Sequence, residues 1–317
     1  MALLVGDIGG TNTRLAIFQD GKILYERTYP SQGIKSLAEC ITGYLNESVI
    51  PIPHRACLAA AGVIEDNRLQ SVNLSWDIDG EQVARSTGLK FVKFVNDFEA
   101  AAWGTTLLKP GDLIQIGGES PRTDGPRAIL GAGTGLGEAI IIPLPSGGIK
   151  VLSTEGGHTD LAPSDDTGIR LLAYLMKKFG HVSVERAVSG PGLINIYDFL
   201  SSENGHKIGQ MHDSVLITKS ALEEKDAICT EALRLFSKIF GSESGNLALK
   251  CLATGGVYIG GGIAPNILPF LTDGGFRKAF ESKGRLSYVL ERIPLFVVME
   301  PSLGLLGAGV MALQECL

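Results

Sequence analysis

The sequence lacks the features that mark a secreted, membrane-bound or disulfide-bonded protein. Its five cysteines are odd in number and far apart, and no C-x-x-C pair indicates a disulfide framework or a zinc ribbon. No stretch approaches a membrane-spanning run of apolar residues, and the first residues lack a basic segment followed by an apolar one. These absences predict reduced thiols, no membrane span and a cytoplasmic protein.

Blocks of basic residues are also absent. The formal net charge is -6 at pH 7, and lysine and arginine are scattered along the chain. Nucleic acids and anionic membranes bind surfaces with the opposite charge pattern. We therefore expect a small-molecule ligand and no nucleic-acid or membrane partner.

Glycine and apolar residues are abundant. The chain has 317 residues, of which 44% are hydrophobic, 20% are charged and 41 are glycine. This composition is typical of an enzyme, and the length predicts two domains rather than one core. Because Lys109-Pro110-Gly111 interrupts the chain, we expect a small α/β domain over 1–107 plus 300–317 and a large α/β domain over 108–299.

Two glycine-rich turns of similar design lie in separate halves of the chain. They are Val5-Gly6-Asp7-Ile8-Gly9-Gly10-Thr11-Asn12 and Leu130-Gly131-Ala132-Gly133-Thr134-Gly135-Leu136-Gly137. Apolar runs flank both, so each is predicted to join a β-hairpin rather than to open a helix. Neither has the Lys-Ser/Thr ending of a Walker A loop. Glycine lets backbone N–H groups approach an anion, so phosphate is the expected ligand.

Hydrophobic periodicity predicts a repeated order of three strands, a helix, a strand and a helix. The segments expected as strands in the first half are 2–6, 13–18, 22–28, 55–61 and 89–95, with a hairpin at 62–69. In the second half, strands are expected around the second turn and at 256–259. The expected helices are 36–45, 98–103, 168–179, 226–240 and 304–314. Gly104 is expected to stop the second helix, and the third is expected to carry one shared face of Ile169, Leu172, Leu175, Met176 and Phe179.

Asn96-Asp97 lies where a predicted strand ends and a predicted helix begins. Open α/β sheets place ligand-binding groups at such positions. The helix dipole favours an ionised carboxylate in the first turn, so Asp97 could accept a proton from a bound hydroxyl group. Asn and Asp are also preferred N-cap residues, and a purely capping role is the alternative.

A second polar segment is Glu155-Gly156-Gly157-His158-Thr159-Asp160. Its glycines let a carboxylate and an imidazole point into one space, where they could bind adjacent hydroxyl groups of a polyol. The alternatives are a metal site formed by Glu155, His158 and Asp160, and a plain solvent-exposed loop.

Two further features carry weaker signals. Glu185 precedes a helix-like segment, where an acid is favoured in the first turn for electrostatic reasons alone. Gly255-Gly256 and Gly260-Gly261-Gly262 offer a turn suited to a ribose or a purine. The alternative is a crowded turn that needs glycine for packing.

Taken together and in this order, the motifs resemble those of bacterial-type glucokinases of the hexokinase/actin-like ATPase superfamily. The segments that carry the resemblance are Gly6-Asp7-Ile8-Gly9-Gly10-Thr11, Asn96-Asp97, Gly133-Thr134-Gly135-Leu136-Gly137, Glu155-Gly156-Gly157-His158, Val184-Glu185-Arg186-Ala187-Val188-Ser189-Gly190-Pro191-Gly192-Leu193, Gly255-Gly256-Val257 and Gly260-Gly261-Gly262-Ile263-Ala264-Pro265. The zinc-binding cysteine cluster typical of the related repressor/open-reading-frame/kinase (ROK) sugar kinases is absent, which favours the glucokinase branch.

The resemblance implies duplicated actin-like ATPase (ribonuclease H-like) domains, with mixed sheets flanked by helices and a cleft between a small and a large domain. It implies phosphorylation of D-glucose at O6 by ATP, with Mg²⁺. Since water competes for the phosphoryl group, the domains are expected to close on the sugar. The residues implied to hold the sugar are Asn96, Asp97, Glu155, His158 and Glu185, with Asp97 as the base.

The resemblance also implies a nucleotide site. The residues implied to surround the ATP phosphates or to border the adenosine are Gly6, Asp7, Ile8, Gly9, Gly10, Thr11, Thr134, Gly260 and Gly261. Asp7 is the expected partner of Mg²⁺ and should act through water, because this ion gives up its hydration shell reluctantly.

Other functions remain open at this point. The same residues could serve a kinase of another hexose or an amino sugar, and an actin-like filament protein or sugar sensor would not need Asp97 as a base. A kinase of an acid such as acetate fits poorly, because Asp97, Glu155 and Glu185 would repel an anionic substrate. The apolar helix over 226–240 could pair in a homodimer or form the core of the large domain.

Overall fold

In the computed structural model the chain forms two compact units. Unit 1 comprises Met1–Pro110 with Glu300–Leu317, and unit 2 comprises Gly111–Met299. The structure describes residues 2–47, 53–70 and 78–314. Within those ranges, no helix combines the length and apolarity that a membrane crossing requires.

Unit 1 contains a mixed sheet flanked by helices and a second, three-stranded sheet. Its strands are β1 (Leu3–Ile8), β2 (Asn12–Gln19), β3 (Lys22–Pro30), β4 (Arg55–Ala60), β5 (Val63–Glu65), β6 (Arg68–Gln70), β7 (Ile78–Asp79) and β8 (Phe91–Asn96). Its helices are α1 (Leu37–Glu47), α2 (Gly80–Thr87), α3 (Asp97–Gly104) and α11 (Leu303–Gln314). The main sheet has the order β3-β2-β1-β4-β8, in which β1, β2 and β3 form an antiparallel meander and β1, β4 and β8 are parallel.

The parallel strands of this sheet end together. Ile8 of β1 is in register with Ala60 of β4, and Ala60 is in register with Asn96 of β8. Neighbouring strands are about 4.8 Å apart, so the ends of β1 and β8 lie about 10 Å apart. This single edge therefore carries both the first glycine-rich turn and Asn96-Asp97.

Helices cover both faces of the main sheet. Leu4 and Ile8 of β1 pack in a core with α1 and α2, whereas Leu3 and Val5 pack with α3 and α11. This alternation follows from the two-residue repeat of a strand. The strand residues therefore bury apolar side chains on both faces, and only the strand ends remain for ligands.

Helix α3 ends at Gly104, within one residue of the predicted end, but Gly104 does not break the helical path. Gly104 has a helical φ of -57°, and the chain continues into a 3-10 turn at Thr105–Leu107. A Cβ at Gly104 would overlap with the carbonyl group of Leu303, and one at Gly307 would overlap with that of Ala100. Both glycines therefore serve the close packing of α3 against α11.

Unit 2 repeats the pairing pattern of unit 1. Its strands are β9 (Leu113–Gln115), β10 (Arg127–Ala132), β11 (Leu136–Pro143), β12 (Ile149–Thr154), β13 (Gly256–Gly260) and β14 (Leu295–Val298). Its helices are α4 (Asp166–Phe179), α5 (Gly190–Glu203), α6 (Ser214–Leu222), α7 (Ala227–Cys251), α8 (Leu268–Thr272), α9 (Gly275–Glu281) and α10 (Ser287–Arg292). The sheet order is β12-β11-β10-β13-β14-β9, with β10, β13 and β14 parallel and β10, β11 and β12 an antiparallel meander.

Two helix predictions in unit 2 need correction. Helix α7 continues eleven residues past the predicted end at 240, to Cys251. Its mid-helix glycines, Gly241 and Gly245, face the carbonyl oxygens of Phe276 and Phe280, where a Cβ would not fit. Tertiary packing therefore keeps the helix intact where local propensity predicts a break.

The buried face of α4 differs from the predicted one. Leu171 and Leu175 are fully buried, whereas Ile169 and Met176 are exposed. The buried stripe follows the four-residue spacing from Leu171 to Leu175, and the two exposed residues lie on the other side of the helix. Of the predicted set, Leu175 is the residue that the core fully buries.

Candidate functional site

The first glycine-rich turn joins β1 and β2, as predicted. The N–H of Gly9 donates to the carbonyl oxygen of Asn12 over 2.9 Å and closes the turn. Ser31, which is buried, fixes the turn from outside: its Oγ donates to the Gly9 carbonyl over 2.6 Å and its N–H to the Thr11 carbonyl over 2.9 Å. The turn is thus held rigidly, with Thr11 exposed.

Asp7 lies on β1, one residue before the strand ends. Its side chain is 34% exposed, and Arg14 Nη1 lies 3.9 Å from Asp7 Oδ2, too far for a hydrogen bond. Burial raises the pKa of Asp7, the Arg14 guanidinium counteracts this, and the Glu26 carboxylate adds to it. Arg14 in turn donates to Glu26 over 2.6 Å and to the Pro301 carbonyl over 2.6 Å. Arg14 therefore leaves the Asp7 carboxylate able to bind a further cation.

Asn96 and Asp97 have different roles at the start of α3. Asn96 is the N-cap, and its Oδ1 accepts hydrogen bonds from the N–H groups of Phe98 over 2.9 Å and Glu99 over 3.1 Å. Its Nδ2 donates to Gly62 over 3.4 Å. Asp97 is half-buried at the first helical position, where its Oδ1 accepts from Phe98 over 2.9 Å. Since Asn96 caps the helix, capping alone does not account for a carboxylate at Asp97.

The second glycine-rich turn joins β10 and β11, again as predicted. The N–H of Gly133 donates to the Gly135 carbonyl over 2.8 Å, and Thr134 is exposed at the tip. The N–H of Gly190, at the start of α5, donates to the Gly133 carbonyl over 2.8 Å. The turn is therefore anchored to the N-terminus of a helix.

The backbone of Leu136 contacts two of the predicted site segments in unit 2. Its N–H donates to Glu185 Oε2 over 3.0 Å. Its carbonyl group packs so closely against Gly157 that a Cβ there would lie 3.0 Å from the carbonyl carbon. Glu185 lies in the 3-10 turn Val184–Arg186 rather than in a helix. The structure therefore brings Thr134, Glu185 and the segment that follows β12 to one edge of unit 2.

Glu155 immediately precedes the 3-10 turn Gly156–His158, and His158 is its last residue. Glu155 Oε2 and His158 Nε2 lie 3.9 Å apart, and both side chains are exposed. Asp160 instead bonds His181 Nε2 over 2.9 Å. No group of three His, Cys, Asp or Glu side chains is arranged to hold a metal within 2–47, 53–70 and 78–314. The shared space of Glu155 and His158 fits the polyol interpretation, and the geometry does not support the alternative metal site that includes Asp160.

Gly260 and Gly261 lie at the end of β13, next to the second glycine-rich turn. Gly260 is in register with Gly131 of β10. Gly261 has a φ of 82°, and a Cβ on it would lie 2.5 Å from the Ala132 carbonyl oxygen. A Cβ on Gly262 would meet nothing within 4 Å. Crowding therefore explains Gly261, while Gly262 leaves room for a ligand to approach the backbone.

Three buried or half-buried polar residues near the predicted site segments were not predicted from the sequence: Ser31, Arg14 and Glu138. Ser31 has no local signal, because it reaches the first turn from the segment that follows β3. Arg14 and Glu138 could have been found, since each is a charged residue inside an apolar strand. Charged residues at such positions need a specific partner or a special role.

Comparison with known proteins decides the family. A family profile described as Glucokinase matches residues 4–315. The chain belongs to the glucokinase family. A curated glucokinase of Yersinia enterocolitica is 40% identical over 314 residues, covering 98% of this chain and 96% of that protein. The resemblance drawn from the motifs is confirmed.

Solved structures agree on the fold. A crystal structure of glucokinase from an Antarctic psychrotroph has a TM-score of 0.83 and 33% identity, covering 99% of both chains. A ROK family glucokinase from Streptomyces griseus, solved in complex with glucose and AMPPNP, has a TM-score of 0.70 and 21% identity, covering 99% of this chain and 100% of that one. At that identity the second likeness shows the fold alone. The α/β fold of the actin-like ATPase type is confirmed, and the glucokinase family makes this protein an ATP-dependent glucose kinase.

Proposed function

We propose that the protein transfers the γ-phosphoryl group of Mg-ATP to O6 of D-glucose, with Asp97 as the general base. The observation that carries this assignment is that Asn96 caps α3, so the carboxylate of Asp97, at the next residue, is not needed as the cap. The first glycine-rich turn occupies the same edge of the sheet. Membership of the glucokinase family supports the choice of glucose and ATP.

Phosphoryl transfer suits a carboxylate of ordinary basicity. The transition state is loose, so catalysis comes mainly from positioning and charge neutralisation. Asp97 orients the O6 hydroxyl group and accepts its proton late in the reaction. The helix dipole at the first turn of α3 favours a negatively charged side chain at this position.

The sugar is proposed to bind through Asn96, Asp97, Glu155, His158 and Glu185. Carboxylate oxygens accept hydrogen bonds from hydroxyl groups, while the Asn96 amide and the His158 ring can donate. A site that pairs each hydroxyl group rejects sugars that lack one, because its own polar groups would then stay unpaired. A kinase of another hexose or an amino sugar is the alternative.

ATP is proposed to lie against Gly6, Asp7, Ile8, Gly9, Gly10, Thr11, Thr134, Gly260 and Gly261. Backbone N–H groups of the two turns would neutralise charge on the phosphate oxygens. Ile8 is buried, so it would act through its backbone. Gly6 serves packing, since a Cβ there would lie 2.7 Å from Leu58 Cδ2.

The Asp7 carboxylate fits a hydrated Mg²⁺. It is partly exposed and makes no direct hydrogen bond to Arg14. Mg²⁺ commonly binds through one or two carboxylates together with water and substrate phosphates. When bound, the ion neutralises charge on the β- and γ-phosphates. Asp7 would orient it through water.

We further propose that units 1 and 2 are the small and large domains and that the enzyme works in the cytoplasm. The described cysteines, Cys40, Cys57, Cys229 and Cys251, are free thiols and are buried or half-buried. Burial raises the pKa of each to about 11 or 12, which makes oxidation slow. Cys316 lies outside the described residues.

Helix α7 could form a homodimer contact or the core of the large domain. Much of its length is buried in the core of unit 2, which supports the core role.

The function is tested by a coupled assay of glucose 6-phosphate formation from glucose and Mg-ATP. ADP release with fructose, mannose and N-acetylglucosamine is measured in parallel. Strong preference for glucose is the expected result. Higher activity on another sugar would identify that sugar, and not glucose, as the substrate. ATP binding without phosphorylation of any sugar would contradict the proposal.

Replacing Glu155 or His158 by alanine is expected to raise the KM for glucose with a smaller effect on kcat. Each substitution leaves a sugar hydroxyl group unpaired, at a cost of about 1 to 3 kcal/mol. Asp160→Ala is the matched control, because Asp160 lies in the same segment but bonds His181. A glucose KM that is unchanged in Glu155→Ala and His158→Ala would argue against a sugar-binding role.

Gly135→Ala is expected to raise the KM for glucose about tenfold. The new Cβ would overlap with Glu185 Oε2 and lie 3.3 Å from its Cδ, so the carboxylate must move. Gly133→Ala is the comparison, because its Cβ meets nothing within 4 Å. Steady-state kinetics, with glucose and ATP each varied in turn, should show the higher KM for glucose in Gly135→Ala and not in Gly133→Ala. Equal glucose KM values in the two variants would contradict the role given to Glu185.

A further inference from the structure

Glu138 is a buried carboxyl group with no role in the mechanism above. It lies on β11, within the core of unit 2, and is 1% exposed. Its Oε1 has no hydrogen-bond partner in the described part of the chain. Burial raises the pKa of Glu138 to about 7; the carboxylate of Glu243 adds to the shift, and Lys250 opposes it.

The Glu138 side chain touches the segment that follows β12. A Cβ on Gly156 would overlap with Glu138 Oε2 and lie 2.7 Å from its Cδ. Thr154, which is in register with Glu138, links the two backbones. Its Oγ1 donates to the Glu138 carbonyl over 3.1 Å and accepts from the Gly156 N–H over 3.2 Å. Glu138 therefore helps to set the position from which Glu155 projects.

The charged groups around Glu138 come from two elements. Helix α7 contributes Glu243, which is buried, and Lys250, whose Nζ lies 3.4 Å from Glu243 Oε1. The segment after β12 contributes Glu155 and His158, on either side of Gly156 and Gly157. Within 2–47, 53–70 and 78–314, Glu138 forms no ion pair.

A second layer of polar groups lies behind Glu243. Asn246 Nδ2 donates to Glu243 Oε2 over 2.9 Å, and Lys283 Nζ donates to Asn246 Oδ1 over 2.7 Å. Burial lowers the pKa of Lys283, and Glu243 opposes that shift. Asn246 and Lys250 are thus the polar partners of the Glu243 carboxyl group. A negative charge on Glu138 would therefore be buried without direct compensation.

We propose that Glu138 is a positioning residue for the sugar-binding segment, acting through Gly156 without touching the sugar. This inference rests on the proposed role of Glu155 and His158. When protonated, the carboxyl group can remain buried in contact with Gly156. When ionised, it favours an arrangement that admits water, and this moves the backbone from which Glu155 and His158 project. Glucose binding therefore weakens as Glu138 loses its proton.

The test is calorimetric titration of glucose into the nucleotide-free protein, from about pH 6 to about pH 8.5. The Kd of the wild type is expected to rise about tenfold, the factor that corresponds to a difference of one unit in the pKa of Glu138 between the free and the bound protein. Glu138→Gln keeps the shape and stays neutral, so its Kd should lack this rise. Its kcat at saturating glucose and ATP should stay close to that of the wild type.

Two substitutions on α7 should shift, in opposite directions, the pH at which glucose affinity falls. Glu243→Gln removes a like charge, so Glu138 ionises at lower pH and glucose affinity falls earlier. Lys250→Met removes a cation, so the fall in affinity moves to higher pH. This pair keeps the inference testable if Glu138→Gln does not fold, since both leave Glu138 in place.

The possible results separate the two proposals. A pH profile in Glu138→Gln that matches the wild type would overturn the inference and assign the pH dependence to His158 or Glu155. Glucose affinity that shifts in the same direction in Glu243→Gln and Lys250→Met would also overturn it. If the wild type neither binds nor phosphorylates glucose at any pH, the proposed function fails and the inference fails with it. If the wild type phosphorylates glucose normally and Glu138→Gln keeps the pH dependence of glucose affinity, only the role of Glu138 is overturned.

Discussion

Asp97→Ala is expected to lower kcat by about 100- to 10,000-fold, the range typical of a lost general base. Asp97 lies at the first position of α3, and Asn96 supplies the helix cap, so the substitution should remove the base without unwinding the helix. Nucleotide binding should persist, because Ser31 holds the first glycine-rich turn through two hydrogen bonds. Turnover and ATP binding, measured on the same preparation, check this.

Glu99→Ala is the matched control for Asp97→Ala. Glu99 is the other acid in the first turn of α3, and it is half-buried to a similar degree. Its loss changes the helix dipole environment by the same charge but removes no group proposed to touch the sugar. Near-normal turnover in Asp97→Ala, or an equal loss in Glu99→Ala, would refute the assignment of Asp97 as base.

Glu138→Gln is expected to stabilise the protein, and the gain should be larger by about 2 to 3 kcal/mol at about pH 8 than at about pH 5. The pKa of Glu138 rises from its ordinary 4.5 to about 7 in the folded protein. The folded state therefore binds more protons than the unfolded chain between these two values. Glu138 contributes its full stabilisation of the folded state below about pH 4.5, and this contribution is lost as the pH rises through 7. Glutamine does not ionise, so the stability of Glu138→Gln has no such dependence on pH.

The measurement is chemical denaturation followed by far-ultraviolet circular dichroism. Tryptophan fluorescence would report on the wrong unit, because both tryptophans, Trp76 and Trp103, belong to the unit 1 part of the sequence. Glu155→Gln is the control, since the Glu155 side chain is exposed. A free-energy difference between Glu138→Gln and the wild type that does not change with pH would mean that Glu138 is already ionised in the folded protein near pH 5.

The sequence was sufficient to predict both glycine-rich hairpins and the strand end at Asn96. These features depend on short-range patterns, namely glycine at tight turns and apolar runs beside polar strand ends. The local signal also suggested Glu155 and His158 as a pair, and the structure places them 3.9 Å apart. Their contact with a sugar stays a prediction.

Features that depend on distant packing were not predictable from the local pattern. Gly241 and Gly245 look like helix breakers, yet they sit inside α7 because α9 packs against them. The contact between Glu185 and Leu136 joins residues 49 positions apart in the chain. The burial of Glu138 likewise depends on distant packing, because α7 contacts β10 and β13 of the same sheet, and strand alternation alone does not reveal it.

The helix α11 completes unit 1 although its residues follow all of unit 2 in the chain. During synthesis on the ribosome, Gly111–Met299 emerges as one continuous stretch and can fold first. The sheet face that carries Leu3, Val5 and Phe18 stays uncovered until Leu305 and Ala308 have been synthesised. The helix that carries Asp97 therefore receives its final support late, and a nascent chain would gain catalytic activity only after α11 has been made.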